Sequence, residues 1–305
     1  MTDPEPQIVV SHGTGRMANR MFQLMLGQEL RRRAGCGRLV GYALPRWSIV
    51  GPPAQPILQP SLVLRGHVFD LDEIAYLLRT GTLRTVVIEG WGMRLPNFGP
   101  AAQYRALFPA TPEGYRAAED ELVIHVRTGD IVNLHHYLYC PLPFSFYERA
   151  IAESGLRPVF MGEIGVDGYS VALRQRFAGA RFLEPQSVDA DFNTIRTARH
   201  AALSVSSYAW MAAWLSETLA TIRYPVFRML DPRNGETFLT PLDDPRYLFY
   251  ELGGPPQKAG TAEFLAWAGQ QATPPALSRA QLVALIFAAA QETRRVWPPT
   301  WQAGS

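Results

Sequence analysis

Apolar residues recur along this chain with two periods. Ile8 to Ser11, Arg38 to Tyr42, Arg84 to Glu89, Glu121 to Arg127, Pro158 to Met161 and Ala201 to Val205 are short apolar or alternating runs, the pattern of strands in a sheet. Met17 to Arg33 instead sets Met17, Met21, Leu24, Gln28 and Arg31 on one helical face, and Arg31-Arg32-Arg33 places cations at the C-terminal end, where the helix dipole favours them. Gly35 and Gly37 stop that helix. Further helices are predicted over Phe144 to Ser154, Val171 to Ala178, Asp191 to Ala198 and Ala209 to Ala220, with a tail helix at about Ala280 to Val296. Residues 45 to 61 are proline-rich and irregular, and Trp91 to Pro100 reads as a loop. Strand, loop, helix, strand at the start, and renewed alternation after residue 120, predict an α/β fold with two parallel sheets. The polar stretch Glu113 to Asp120 divides an N-terminal domain, 1–118, from a second domain, 119–305.

Composition narrows the class. A chain of 305 residues, 47% hydrophobic and 18% charged, suits one large or two ordinary domains with a proper core rather than disorder. The net charge of +2 gives no reason to expect nucleic acid, while local arginines can still hold a small anion. Cys36 and Cys140 form no disulfide framework and suit a reducing compartment. The acidic, proline-containing start lacks the features of a signal peptide. The longest strongly apolar stretch, Leu282 to Ala290, is too short to span a bilayer. A cytoplasmic protein is expected, with oligomeric state open. The tail helix packs back on the first domain or serves a dimer or peripheral membrane contact.

Three stretches carry candidate chemistry. In residues 122 to 130, Leu-Val-Ile-His-Val-Arg-Thr-Gly-Asp, strand alternation puts His125 and Arg127 on one face, with Arg127 at the C-terminal end. Ligands of open α/β sheets bind at that edge. Arg127 there either grips a phosphate as a bidentate fork or pairs with Asp130 to shape a turn. In residues 203 to 217, a strand delivers Ser206 and Ser207 to the start of a helix, as a plain cap or as part of an anion site. Trp210 and Trp214, one turn apart, are core candidates.

The third stretch follows the first strand and contains Gly13-x-Gly15-x-x-Ala18. A dinucleotide fold needs a carboxylate about 20 positions further on for the ribose, and residues 30 to 69 contain no Asp or Glu. No Gly-Lys-Ser/Thr follows, so a Walker-type phosphate loop fails too. His135, His136 and Cys140 match no zinc spacing, and Asp189-Ala190-Asp191 does not follow an apolar strand as metal-binding Asp-x-Asp pairs do.

Together the three stretches resemble the GDP-fucose-dependent fucosyltransferases, in particular the bacterial α-1,2-fucosyltransferases, with nodulation-type and protein O-fucosyltransferases as more distant kin. Gly15-Arg16-Met17-Ala18-Asn19-Arg20-Met21-Phe22-Gln23 looks like the family's Gly-x-x-Gly-Asn-Gln-Met-Phe-Gln loop. His125-Val126-Arg127-Thr128-Gly129-Asp130 is similar to its His-x-Arg-Arg-Gly-Asp motif, and Ser204 to Leu215 to its serine and tryptophan helix. The matches run in family order from residue 8 to about 216, and no motif covers the last ~90 residues.

The resemblance implies a GT-B type enzyme: two Rossmann-like domains with a nucleotide-sugar cleft between them, the acceptor mainly on the first. It implies inversion at the anomeric carbon without a metal or other cofactor. By position, Arg127 binds the donor pyrophosphate, His125 braces it, and Ser206, Ser207 and Tyr208 contact phosphates and fucose. Asp191 lies near guanine, and Gly15 and Asn19 bring the N-terminal loop to the reacting centre. Thr128 replaces a second arginine, Ala18 a glycine and Arg20 a glutamine, so that Arg20 is able to return the lost charge. Gly162-Glu163 stands where many relatives have Asp. General-base candidates are Asp130, His12 and Glu163. Rival readings are a same-fold transferase using another nucleotide sugar, a non-catalytic nucleotide- or glycan-binding protein, and a disfavoured NAD(P)-dependent oxidoreductase.

Overall fold

Two main sheets organise the chain, and their strands run parallel because helices carry the chain back between them. The computed structural model describes residues 5–11, 15–133, 138–254 and 261–296, with the backbone alone for Asp130, Asn133 and 292–296. The first part comprises β1 (Gln7–Val10), α1 (Met17–Ala34), β2 (Arg38–Val40), the hairpin β3 (Ala43–Leu44) and β4 (Ile49–Val50), β5 (Ser61–Leu64), α2 (Leu71–Arg79), β6 (Thr85–Ile88) and α3 (Ala101–Arg105). Then follow β7 (Glu121–Arg127), α4 (Asp130–Asn133), α5 (Phe144–Ser154), β8 (Arg157–Glu163), α6 (Gly168–Arg176), β9 (Arg181–Phe182), α7 (Val188–Thr197) and β10 (His200–Ala202). Last come α8 (Ser207–Leu215), β11 (Thr221–Val226), β12 (Tyr247–Glu251), α9 (Ala262–Gln270), β13 (Ala276–Leu277) and α10 (Arg279–Val296).

The first sheet has the order β2-β1-β6-β5, parallel throughout. The second has the order β13-β12-β11-β10-β7-β8-β9, with β13 alone antiparallel to its neighbour. Its chain builds outward from β7 to β9, crosses back to β10, and builds the other way. The strand order therefore switches between β7 and β10, the kind of position beyond whose C-terminal strand ends open α/β sheets hold ligands. β7 is central: Leu122, Val123, Ile124 and Val126 are fully buried on both faces, as expected for a covered parallel strand.

Helix ends follow local chemistry. Gly35 takes a left-handed conformation and returns its N–H to Arg31, ending α1, and Gly155 does the same for α5. Ser187 caps α7 and Ser206 caps α8. α8 is apolar on all sides because it lies between the two sheets: Phe22 of α1 stacks on Trp210 at 5.7 Å and Tyr104 of α3 meets Trp214 at 5.8 Å. Arg105 donates to the closing carbonyls Leu215 O (3.2 Å) and Ser216 O (3.3 Å).

Several elements differ from the sequence expectation. α8 stops at Leu215 rather than Ala220, because Ser216 Oγ takes the N–H groups of Thr218 and Leu219 and turns the chain. β5, α2, α3, β9, β11, β12 and α9 went unpredicted. β11 hides behind Pro225, which is tolerated because β10 pairs only with Thr221 to Arg223 and has ended before it. The tail helix, expected either to pack back on the first domain or to serve a dimer or peripheral membrane contact, has its principal contacts with the turn Pro232–Asn234 and β13 in the second half, and Phe287 is 65% exposed. No helix among the described residues is long and apolar enough to cross a membrane.

Candidate functional site

Parallel strands place all their C-terminal ends on one edge, and the helices that follow start there. On the second sheet that edge carries Arg127 (end of β7), Glu163 (end of β8), and the starts of α7 and α8. On the first sheet it carries the start of α1. The two edges meet. Ser207, the first residue of α8, donates its hydroxyl to Asn19 Oδ1 in the first turn of α1 at 3.3 Å. Two helix N-termini, whose first turns lack intrahelical partners for their N–H groups and whose dipoles present positive ends, thus share one location. Beside it Arg16 pairs with Glu163 (2.8 Å) and Arg46 pairs with Asp189 while also reaching Met17 Sδ.

His125 lies at the switch. Its Nδ1 bonds Ser204 Oγ at 2.7 Å, joining β7 to the segment that leads into α8. Burial, with the Arg127 guanidinium as a second cause, pushes its pKa down to about 3. The imidazole is neutral and acts as a brace. Gly162 makes room for it: the backbone there has φ +105°, and a Cβ would fall 2.4 Å from Val126 O and 3.1 Å from His125 Nε2. Packing against β7 therefore leaves no room for a side chain at this position. Arg127, half-buried, lays its guanidinium over the Tyr139 ring at 4.7 Å.

Thr128, where the resemblance lost an arginine, is fully buried. Its N–H donates to Glu163 O at 3.1 Å and its hydroxyl meets Ser170 Oγ at 3.2 Å. It knits β7 to β8 and α6, a place where a guanidinium would be desolvated. Ser206 is the cap of α8: its Oγ accepts the Ala209 N–H at 3.4 Å, so the structural role expected of it is filled. Tyr208 donates its hydroxyl to Val188 O and packs between His125 (5.9 Å) and Phe192 (5.4 Å), and burial raises its pKa. Asp191, near the start of α7, accepts from Gln186 at 3.2 Å, yet burial first and the Glu163 charge second push its pKa up to about 6. With Asp189 held by Arg46, the two aspartates have separate protein partners.

Gly15 has φ +104° and packs on Asn19, whose Cβ would lie 2.8 Å from any added methyl. Arg20 is exposed and makes no ion pair or hydrogen bond through its side chain among the described residues. His12, His135, His136 and the side chain of Asp130 lie outside the described residues. Sequence reasoning missed Arg16 and Arg46, whose partners sit more than a hundred positions away, and Trp47, which packs on Phe108 (5.0 Å) and Phe192 (6.2 Å) and docks the first hairpin on α7. It also missed the task of Gln23. That buried amide donates to Ser11 O and Glu89 O, both at 3.0 Å, closing the C-terminal ends of β1 and β6.

Comparison with models of known protein families returned no match, and neither did comparison with the curated proteins.

Proposed function

We propose that the chain is an inverting glycosyltransferase of GT-B type, with Rossmann-like domains 1–118 and 119–305, that moves fucose from GDP-fucose to a hydroxyl of a glycan acceptor. The observation that carries this reading is the meeting of the α1 and α8 N-termini through Asn19 and Ser207, on the same sheet edge where β7 ends in Arg127. That is a preorganised cationic and N–H-rich seat for a diphosphate.

Transfer breaks the bond between the sugar C1 and the β-phosphate oxygen, and the electron pair leaves with GDP. Arg127 and the N–H groups of the two helix starts meet that charge, joined by the Ser207 hydroxyl once it turns from Asn19 Oδ1. His125, neutral, holds the segment before α8 through Ser204. Asp191 faces the guanine donors. The acceptor oxygen attacks C1 from the opposite side, and its proton passes to Glu163, the carboxylate on this edge that already reaches across to the first half. Resident metal has no part in this scheme, so activity survives EDTA. The test is turnover of GDP-fucose with and without a glycan acceptor: Arg127→Ala is expected to lower it by about 100-fold to 1000-fold. Undiminished turnover in that variant, or turnover of UDP-sugars instead, overturns the reading.

A further inference from the structure

Thr128 stands where the fucosyltransferases it resembles have a second arginine, and it is buried in the packing of β7, β8 and α6. A cation reaches the same neighbourhood from the first half. β3 and β4 pair Ala43 with Val50 and Leu44 with Ile49, so the turn between them carries Arg46 at its tip. Ser48 closes that turn by returning its N–H to Pro45 O at 2.9 Å. Trp47 fixes it in place, with its ring on Phe108 and Phe192 and its indole N–H on Pro109 O at 3.2 Å. Arg46 is exposed, and its guanidinium pairs with Asp189 in the first turn of α7 and touches Met17 Sδ at the first residue of α1. Tyr208, the residue after Ser207, bonds to that same turn of α7 through Val188 O. Arg46 thus rests against α1 two residues before Asn19, and against the turn of α7 that is tied to the start of α8.

How a guanidinium spends its N–H donors separates a scaffold arginine from one held for a ligand. Arg233 and Arg246 each give Nε and Nη2 to a single carboxylate, Asp231 and Asp244, and Nη1 to a further oxygen, of Glu251 and of Ser216. Arg46 meets Asp189 through Nε, and among the described residues its Nη1 has only the Met17 thioether, a weak acceptor. An anionic oxygen is a better partner for that group than sulfur is. We infer that Arg46 is a phosphate-binding residue that leaves Asp189 for the diphosphate when the nucleotide enters, supplying the cation that Thr128 does not. Asp189 stands in for the ligand until then and holds the guanidinium ready. The inference rests on the proposed donor seat, and it moves part of the phosphate grip to the first half, where the resemblance implies the acceptor.

The experiment is calorimetric titration of the full chain with inorganic pyrophosphate, GDP and guanosine in EDTA. Arg46→Gln is expected to weaken pyrophosphate and GDP about tenfold. Asp189→Asn, which removes the competing carboxylate, is expected to tighten both by about threefold or more. Guanosine, without phosphate, should bind both variants as it binds wild type. The opposite signs are decisive, because the two substitutions break the same ion pair and a scaffolding role would shift affinity in one direction only. Weaker binding in both variants, or no change in either, overturns the inference, and GDP binding that still depends on Arg127 then leaves the donor seat standing. A wild type that binds neither pyrophosphate nor GDP removes the seat and the inference together.

Discussion

Asp191 is held in a place that costs the fold stability. Its carboxyl ordinarily titrates near 3.8 and is pushed up to about 6, chiefly by burial, although Gln186 donates to it. Between those values the folded protein binds more protons than the unfolded chain, so stability falls as pH rises from about 4 to about 6 and stays lower above that. The gap corresponds to roughly 3 kcal/mol as a ceiling, and partial solvent access reduces it to about 1–2 kcal/mol. Asp191→Asn removes the charge and keeps an amide oxygen for Gln186. The variant should therefore be about 1–2 kcal/mol more stable than wild type at pH 8, with the gain gone at pH 4. Urea unfolding at both pH values measures this. An Asn variant less stable at pH 8, or a difference independent of pH, would refute the reasoning. Under the proposed function the same substitution should also weaken GDP binding, because guanine would lose the Asp191 carboxylate.

Other outcomes follow from the same geometry. Ser204→Ala leaves the buried His125 Nδ1 without its partner and should cost about 1–3 kcal/mol in urea unfolding. Gly162→Ala combines φ +105° with a methyl 2.4 Å from Val126 O, and should cost at least about 3 kcal/mol, read as lost soluble yield or a lowered melting midpoint. Glu163→Gln breaks a half-exposed ion pair, so stability should move by less than about 1 kcal/mol, while turnover falls about 100-fold through loss of the proton acceptor.

Strand alternation was enough to place His125 and Arg127 on one face at the C-terminal end of β7, and a serine before an apolar run was enough to foresee the Ser206 cap. Both are local signals. The meeting of Asn19 with Ser207, and of Arg16 and Arg46 with Glu163 and Asp189, joins residues more than a hundred positions apart, and no periodicity encodes such pairs. α2 was legible but unread: Asp70 caps Glu73 N, and Leu71, Ile74, Ala75 and Leu78 share its buried face. β11 was concealed by Pro225, since a strand's tolerance for proline depends on where its neighbour ends. The neutrality of His125 required the fold as well, because burial, ahead of the neighbouring Arg127 charge, is what lowers its pKa. Thr128 resembles a lost cation in sequence and is a buried link between strands in space.

The proposed function turns on a diphosphate seated between two helix starts and one guanidinium. Calorimetric titration with GDP, with UDP and NAD as comparators, on wild type and on Arg127→Ala tests it most directly. Micromolar GDP binding, weakened at least about tenfold by the substitution and absent for NAD, is the expected result. No heat with GDP, or affinity untouched by loss of Arg127, would contradict it.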